Sequence, residues 1–148
     1  MKKITIWMIL GVMTMLALVA SVAACAEKPA ADESQVRAYA DPITEDTLIG
    51  MNENDYAKFS EHFDEAMKNA IPEANFGQLV ATIKPVIGDY VSKEFWTVEK
   101  QGEYTLVKYK TKFTNESADV IVTVSFHEVE GKTYLSGLWF DSPKLRKQ

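Results

Sequence analysis

The chain has 148 residues, with 16 basic and 21 acidic side chains and a formal net charge of −5. The first 24 residues hold two lysines and no acid, so residues 25–148 carry the other 14 basic and all 21 acidic side chains, a net charge of −7. This balance excludes a general nucleic-acid-binding protein, and a single cysteine, Cys25, excludes a disulfide bond within the chain.

The first predicted element is a targeting segment. Two lysines precede the uncharged, mostly apolar residues 4–24, which is the pattern of a secretory signal peptide. The sequence Val-Ala-Ala-Cys at residues 22–25 resembles the bacterial lipobox. The resemblance implies cleavage between Ala24 and Cys25 and lipid attachment at Cys25. Two or three lipid chains suffice for stable anchoring, so we expect a lipoprotein on the extracytoplasmic face of the cell membrane.

Two alternatives stay open for this segment. Ala24, Cys25 and Ala26 also fit a small-residue signal-peptidase site, which would release a secreted protein. The apolar run is also long enough to remain as one membrane-spanning helix. The fate of the segment therefore depends on how Cys25 is processed.

The composition of the rest of the chain divides it into three parts. Residues 25–40 lack a sustained hydrophobic period and are predicted to form the lipidated cysteine and a flexible tether, with a helix starting near Ala31 as the alternative. Residues 41–143 are predicted to form one domain, and residues 144–148 a basic tail.

Two or three helices are predicted at the start of the domain. Asp41 is a candidate N-cap before Pro42, and the first helix should end at the polar residues 52–55. Apolar residues recur at three- and four-residue spacing through 56–70, which predicts one strongly amphipathic helix. A third helix is predicted within residues 75–91.

Four β-rich runs follow between residues 90 and 140. Short polar turns separate them, which predicts an antiparallel meander. Tight turns would place the following residues opposite each other: Lys112 and Asp119, Tyr109 and Val122, Val107 and Val124, Phe126 and Leu135, and Val122 and Trp139. The predicted fold class is α+β, with the helices packed on one face of a curved four-stranded sheet.

The face of this sheet that points away from the helices is predicted to be mixed, with lysines and hydroxyl side chains beside apolar ones. Its apolar members are expected to be Phe95, Leu106, Ile121, Leu138 and Phe140. They are either scattered surface side chains or, as we slightly favour, an interface for a homodimer or another partner.

The sequences "NENDYAKFSEHFDEAMKNA" and "GLWFDSP", with the order of helices and strands, resemble the domain of unknown function 3887 family. The resemblance covers residues 41–143. It implies a cone-like fold similar to that of nuclear transport factor two, and a role as a small lipoprotein or as an accessory module beside hydrolases. No catalytic residue is known for the family, so none is implied.

The sequence contains no glycine-rich phosphate loop, no metal-spaced cluster and no nucleophile elbow, so we expect no cofactor and no metal. One constellation supports a hypothesis of catalysis. If Gln101 and Gly102 form a two-residue turn, Glu94 lies opposite Tyr109 on the covered face, where a desolvated carboxylate can act as a base and the tyrosine can stabilise an enolate. The alternative, which we favour, is that Glu94 is hydrated at the rim and only forms a hydrogen bond with Tyr109. The pocket would be lined by Trp96, Tyr109, Thr111 and Trp139.

Two functions are therefore weighed. The first is a membrane-anchored module that binds a small ligand or a protein, with the ligand or partner unknown. The second is a small pocket enzyme of the isomerase or dehydratase type that uses Glu94 and Tyr109. A large cavity that holds Glu94 would favour the enzyme, whereas a packed space between sheet and helices would favour the binding module.

Overall fold

The computed structural model describes residues 32–148. Within this range the elements are α1 (Glu33–Glu53), α2 (Tyr56–Ser60), α3 (Glu65–Ala70), α4 (Glu73–Ile87), β1 (Tyr90–Gln101), β2 (Tyr104–Phe113), β3 (Glu116–Val129), β4 (Lys132–Asp141) and a short 3₁₀ helix (Leu145–Lys147). The strands form one antiparallel sheet in the order β1-β2-β3-β4. The predicted α+β fold class is confirmed. The predicted signal peptide and Cys25 lie outside the described residues.

Helix α1 begins earlier than the sequence predicted. It starts at Glu33, because the Asp32 side chain caps it by accepting a hydrogen bond from the Ser34 amide at 3.1 Å. Val36 and Ala40 are buried in the core. Residues 33–40 are therefore part of the domain and not of a tether, and Asp41 lies within the helix rather than at its N-cap.

The predicted helix over residues 56–70 is divided into α2 and α3. The link between them pairs with the sheet: the Leu135 amide donates to the His62 carbonyl at 2.7 Å, and the Asp64 amide donates to the Leu135 carbonyl at 3.1 Å. Asp64 then caps α3 by accepting a hydrogen bond from the Met67 amide at 2.7 Å. The apolar spacing of the sequence continues through this link, so periodicity alone did not reveal the break.

Most of the predicted register between β2, β3 and β4 is confirmed. Tyr109 faces Val122, Val107 faces Val124 and Phe126 faces Leu135. The Lys112 ammonium also lies 2.6 Å from the Asp119 carboxylate.

The pairing of Val122 with Trp139 is wrong. Val122 lies opposite Phe140, because β4 contains one extra residue, Ser136, between the partners of Ser125 and Phe126. Such a bulge shifts the following residues by one position and reverses the faces on which their side chains lie.

Strand β1 contains a second bulge, at Trp96. Phe95 lies opposite Tyr109, and the next pair in the ladder is Thr97 with Lys108. The turn between β1 and β2 is formed by Gly102 and Glu103 rather than by Gln101 and Gly102, and this displacement together with the bulge places Glu94 opposite Lys110 and not Tyr109.

The helices and one face of the sheet, here called the inner face, enclose the hydrophobic core. The largest fully buried side chains are Tyr109, Phe59, Phe63, Phe126, Leu48, Met51, Ile87 and Leu135, with valines 107, 120, 122 and 124. Among residues 32–148, no helix combines the length and apolar character needed to cross a membrane.

The C-terminal residues are held against the turn between β2 and β3. The buried Glu116 carboxylate accepts hydrogen bonds from the Ser142 hydroxyl at 2.7 Å and the Lys144 amide at 3.2 Å. These contacts lower the pKa of Glu116, first through the Ser142 hydroxyl. The predicted basic tail therefore includes residues that are packed on the domain.

Candidate functional site

The predicted catalytic residues lie near a polar cluster between α1 and strands β1 and β2. The Tyr109 hydroxyl donates to Asp41 at 2.9 Å, and the Arg37 guanidinium donates to the same carboxylate at 3.2 Å. Burial, followed by the hydrogen bond to Asp41, raises the pKa of Tyr109. Tyr109 therefore remains protonated at neutral pH, and the carboxylate that pairs with it is Asp41 rather than Glu94.

An ion pair also joins α1 to strand β1. The Lys93 ammonium contacts the Glu45 carboxylate, which also accepts a hydrogen bond from the Tyr90 hydroxyl at 2.8 Å. Burial and this hydrogen bond raise the pKa of Tyr90. Each charged group of the cluster has a partner of opposite charge, so these contacts are explained by the packing of α1 against the sheet.

The opening beside this cluster is small. It measures about 210 Å³, and both Glu94 and Tyr109 line it, but the Glu94 side chain is exposed whereas Tyr109 is fully buried. The space between helices and sheet is filled with aromatic rings, since Phe59 lies 5.0 Å from Phe63 and 4.6 Å from Phe76 between ring centroids. Glu94 and Tyr109 thus share one opening, but the Tyr109 hydroxyl is bonded to Asp41 and Glu94 is hydrated opposite Lys110, so the two are not arranged as a base and an oxyanion donor.

The other predicted pocket residues are divided between the two faces of the sheet. Thr111 is buried on the inner face and donates its hydroxyl to the Val120 carbonyl at 2.6 Å. Trp96 and Trp139 were predicted on the inner face, but the bulges place them on the opposite face, here called the outer face, where they are 50% and 55% exposed. They do not line a pocket with Tyr109.

The predicted interface residues are also divided. Phe95, Leu138 and Phe140 lie opposite inner-face residues and pack against the core, so their assignment to the outer face was wrong. Leu106 and Ile121 do lie on the outer face, opposite Ser125 and Lys110. The exposed apolar surface of this face is therefore formed mainly by aromatic side chains.

The outer face is continuous with a groove that passes around the β4 edge to α3. The groove consists of two adjoining depressions of about 290 and 520 Å³, which share Asp64, Ala66 and Tyr104. We call it the outer groove; its remaining lining residues are Glu61, Phe63, Glu65, Lys68, Gln101, Leu106, Ser125, His127, Val129, Lys132, Tyr134, Ser136 and Trp139. Volumes of this size are typical of small-ligand sites.

Local structure positions the aromatic rings of the outer groove. The Trp139 ring lies over Gly137, where a Cβ atom would be only 2.2 Å from the ring. Tyr104 packs on His127 with ring centroids 5.0 Å apart, and the Lys132 ammonium lies 5.0 Å from the centroid of Tyr134. The rings are thus supported by neighbours while part of their surface faces solvent.

The charges of the outer groove are mixed. Acidic side chains come from α3 and the residues before it, at Glu61, Asp64 and Glu65, and basic ones are Lys68 and Lys132. Gln101, Ser125 and Ser136 add uncharged polar groups. The lining therefore offers both donors and acceptors of hydrogen bonds without a strong excess of either charge.

At this end of the sheet, the Glu103 carboxylate lies 3.7 Å from the Nε2 atom of His127. The described part of the chain nevertheless contains no group of three or more His, Cys, Asp or Glu side chains placed to hold a metal ion.

Sequence reasoning missed both Asp41 as the partner of Tyr109 and the outer groove. No local pattern indicates a contact between residues so far apart in the chain as Asp41 and Tyr109. Gly137 is different, because a glycine inside a strand is a recognised sign of a bulge. Reading it as such would have moved Trp139 to the outer face.

Comparisons with known proteins give a family and a distant structural likeness. Residues 46–131, more than half of the chain, match the family model described as protein of unknown function (DUF3887). No curated protein is significantly similar to the sequence. Among solved structures, the chain is similar to AclR, a candidate hydroxylase from Streptomyces galilaeus, with 11% identity and a TM-score of 0.44 over 73% of this chain and 82% of that chain. A likeness this distant transfers no activity.

Proposed function

The chain belongs to the DUF3887 family of proteins of unknown function, and from its own surfaces we propose that it is a membrane-anchored module that binds a ligand in the outer groove. The observation that supports this proposal is the contrast between the two faces of the sheet. The inner face is closed by packed aromatic rings, whereas the outer face presents Trp139 and Tyr104 at 55% and 38% exposure beside an open groove.

Exposed aromatic side chains of this kind favour binding over catalysis. A tryptophan or tyrosine on the surface gains free energy when a ligand covers its apolar ring, while its polar end keeps a hydrogen bond with water or with the ligand. The arrangement suits recognition of a ligand rather than chemical conversion.

Crystals of residues 32–148 soaked with a library of small organic fragments test this proposal. Fragments are expected to occupy the outer groove, in contact with Trp139 or Tyr104, because this groove offers apolar rings and polar groups together. The range starts at Asp32 because removal of residues 33–40 would delete the buried Val36 and Ala40. Fragments bound only beside Asp41 and Tyr109, or nowhere, would contradict the proposal.

The membrane anchor is the second part of the proposal and rests on the lipobox-like residues 22–25. Cys25→Ala in the full chain removes the sulfur to which the lipid would be attached. The protein is therefore expected to move from the membrane fraction to the soluble fraction of bacterial cells, with its thermal unfolding midpoint unchanged. Fractionation followed by immunodetection measures this, and Ser21→Ala, outside the motif, is the matched control.

If Cys25→Ala stays in the membrane fraction, mass spectrometry of the unsubstituted protein decides between the anchors: a chain that keeps residues 1–24 and carries no lipid at Cys25 would exclude the lipid anchor. A variant that unfolds would assign Cys25 to the fold instead. The domain is proposed to lie on the extracytoplasmic side, as the signal peptide implies.

A homodimer through the outer face stays a prediction from the sequence. The residues that would form it are now Leu106 and Ile121 with Trp96 and Trp139, since Phe95, Leu138 and Phe140 pack against the core. Sedimentation of the purified full chain in detergent distinguishes a monomer from a dimer.

A further inference from the structure

The aromatic rings of the outer groove and the polar groups beside them point to one class of ligand. We infer that the outer groove binds an uncharged polysaccharide chain, an inference that rests on the proposed binding function and specifies its ligand. The rings of Trp139, Tyr104 and Tyr134 supply the apolar part of the site, and the side chains from α3 and β4 supply the polar part.

A sugar ring presents an apolar C–H surface on its faces and hydroxyl groups around its edge. Partly exposed aromatic side chains match the faces of a sugar, because a flat aromatic ring can cover the apolar C–H surface of the sugar and remove it from water. Trp139 is 55% exposed although the six-membered part of its ring lies against Gly137, so more than half of the side chain's surface is available to a ligand. A ring supported in this way can serve as a surface on which a sugar stacks.

Hydroxyl groups both donate and accept hydrogen bonds, and the groove supplies partners for both roles. The Glu61 carboxylate accepts, the Lys132 ammonium donates and the amide of Gln101 does both. Glu65 and Lys68 pair with each other, and one oxygen of Asp64 caps α3. A ligand that carries only acceptors or only donors would leave half of these groups without partners, at a cost in affinity.

The charges of the groove disfavour the other polymeric ligands. Three acidic side chains face two basic ones in the larger depression, so the groove offers no basic track for a polyanion such as a nucleic acid or an acidic glycan. A purely apolar ligand would bury these charged groups without compensation. An uncharged chain rich in hydroxyl groups needs no basic track, and its hydroxyl groups can form hydrogen bonds with the charged side chains, so neither cost applies to it.

The length of the groove fits a chain rather than a single sugar. The two depressions adjoin at Tyr104, with Trp139 lining one of them and Tyr134 the other. Rings of the ligand placed in both depressions would stack on different aromatic side chains of one continuous path. Affinity is therefore expected to rise with the number of sugar units.

The full chain, purified in a detergent without a sugar head group, tests the inference by isothermal calorimetry. The probes are the hexasaccharides of chitin, cellulose and amylose, with heparin as the charged comparison. At least one neutral hexasaccharide is expected to bind more tightly than its dimer and more tightly than heparin. Trp139→Ala is expected to weaken it about tenfold or more, because truncation of a tryptophan in a binding site is among the changes that most often reduce affinity to this extent.

Trp96→Ala is the matched control. Trp96 is 50% exposed on the same face but belongs to β1, at the opposite edge of the sheet, and lines neither depression. Its replacement is expected to change the affinity less than about twofold. Tyr104→Ala provides a second variant inside the groove, and thermal unfolding verifies that each variant is folded.

The outcomes separate this inference from the proposed function. If small fragments occupy the outer groove but no neutral hexasaccharide binds, the polysaccharide is excluded while the binding site stands. If neither fragments nor saccharides bind, both proposals fail. Equal loss of affinity in Trp96→Ala and Trp139→Ala, tighter binding of heparin, or a dimer of the full chain that Trp139→Ala dissociates would each overturn the inference.

Discussion

Phe59→Ala is expected to lower the free energy of unfolding by about 3–5 kcal/mol, the usual cost of removing a buried aromatic ring. Phe59 has no exposed surface and contacts the rings of Phe63 and Phe76. Its removal opens a cavity where α2 meets α4, and neither neighbour can fill the space without leaving its own packing position. A loss of this size is a large fraction of the stability of an ordinary domain.

Urea unfolding followed by circular dichroism measures this change. Val91→Ala is the matched control, because Val91 is 59% exposed in β1 and its truncation is expected to cost less than about 1 kcal/mol. Equal destabilisation by the two variants would show that the ring of Phe59 is not part of the core, and the arrangement of α2 and α4 would have to be revised.

Gly50→Ala is expected to destabilise the domain by about 1–3 kcal/mol through steric overlap. A Cβ atom at Gly50 would lie 2.5 Å from the backbone nitrogen of Phe59 and 2.8 Å from its Cα atom. Because both contacts are to backbone, no side-chain rotation relieves them, and α1 must move away from α2. Differential scanning calorimetry is expected to show a lower melting temperature.

Gly77→Ala makes the same chemical change where there is space. Gly77 lies on the exposed side of α4, and a Cβ atom added there would have no neighbouring atom within 4 Å. Alanine there is expected to raise stability by about 0.5–1 kcal/mol, since glycine is the poorer helix former. If Gly50→Ala were neutral or stabilising like Gly77→Ala, the close contact of α1 with α2 would be wrong.

The sheet was the part of the fold that the sequence specified best. Alternating apolar residues and polar turns predicted four strands in the right order, and the pairs Tyr109 with Val122 and Val107 with Val124 were correct. These pairs lie beyond the irregularity beside the β2–β3 turn, in the stretch from Thr111–Val120 to Tyr104–His127 that contains no inserted residue. Period-two patterns are reliable where no residue is inserted.

The bulges set the limit of that reasoning. Trp96 is one of the extra residues in β1 and Ser136 is the extra residue in β4, and each of these two moves the residues beyond it to the other face. The tryptophans assigned to a buried pocket are exposed for this reason, and the candidate base Glu94 pairs with Lys110 instead of Tyr109. An alternating sequence does not show which residue is left unpaired in a bulge, because the position of the bulge depends on packing against distant elements.

The helices show the same dependence on distant contacts. The break between α2 and α3 is set by hydrogen bonds of His62 and Asp64 with Leu135, a residue of the last strand. The pairing of Asp41 with Tyr109 likewise joins the first helix to the second strand. Local signals such as the Asp64 cap are present in the sequence, but periodicity outweighed them.

The pairing of residues 62–64 with Leu135 has a consequence for self-association. Strand β4 is an edge strand, and an edge with unpaired backbone groups is a template on which a second chain can extend the sheet. The link between α2 and α3 occupies the Leu135 amide and carbonyl. A second molecule could not add a strand across this part of β4 without first displacing the link. The link therefore protects the domain against edge-to-edge polymerisation at Leu135, which is a buried residue of the core.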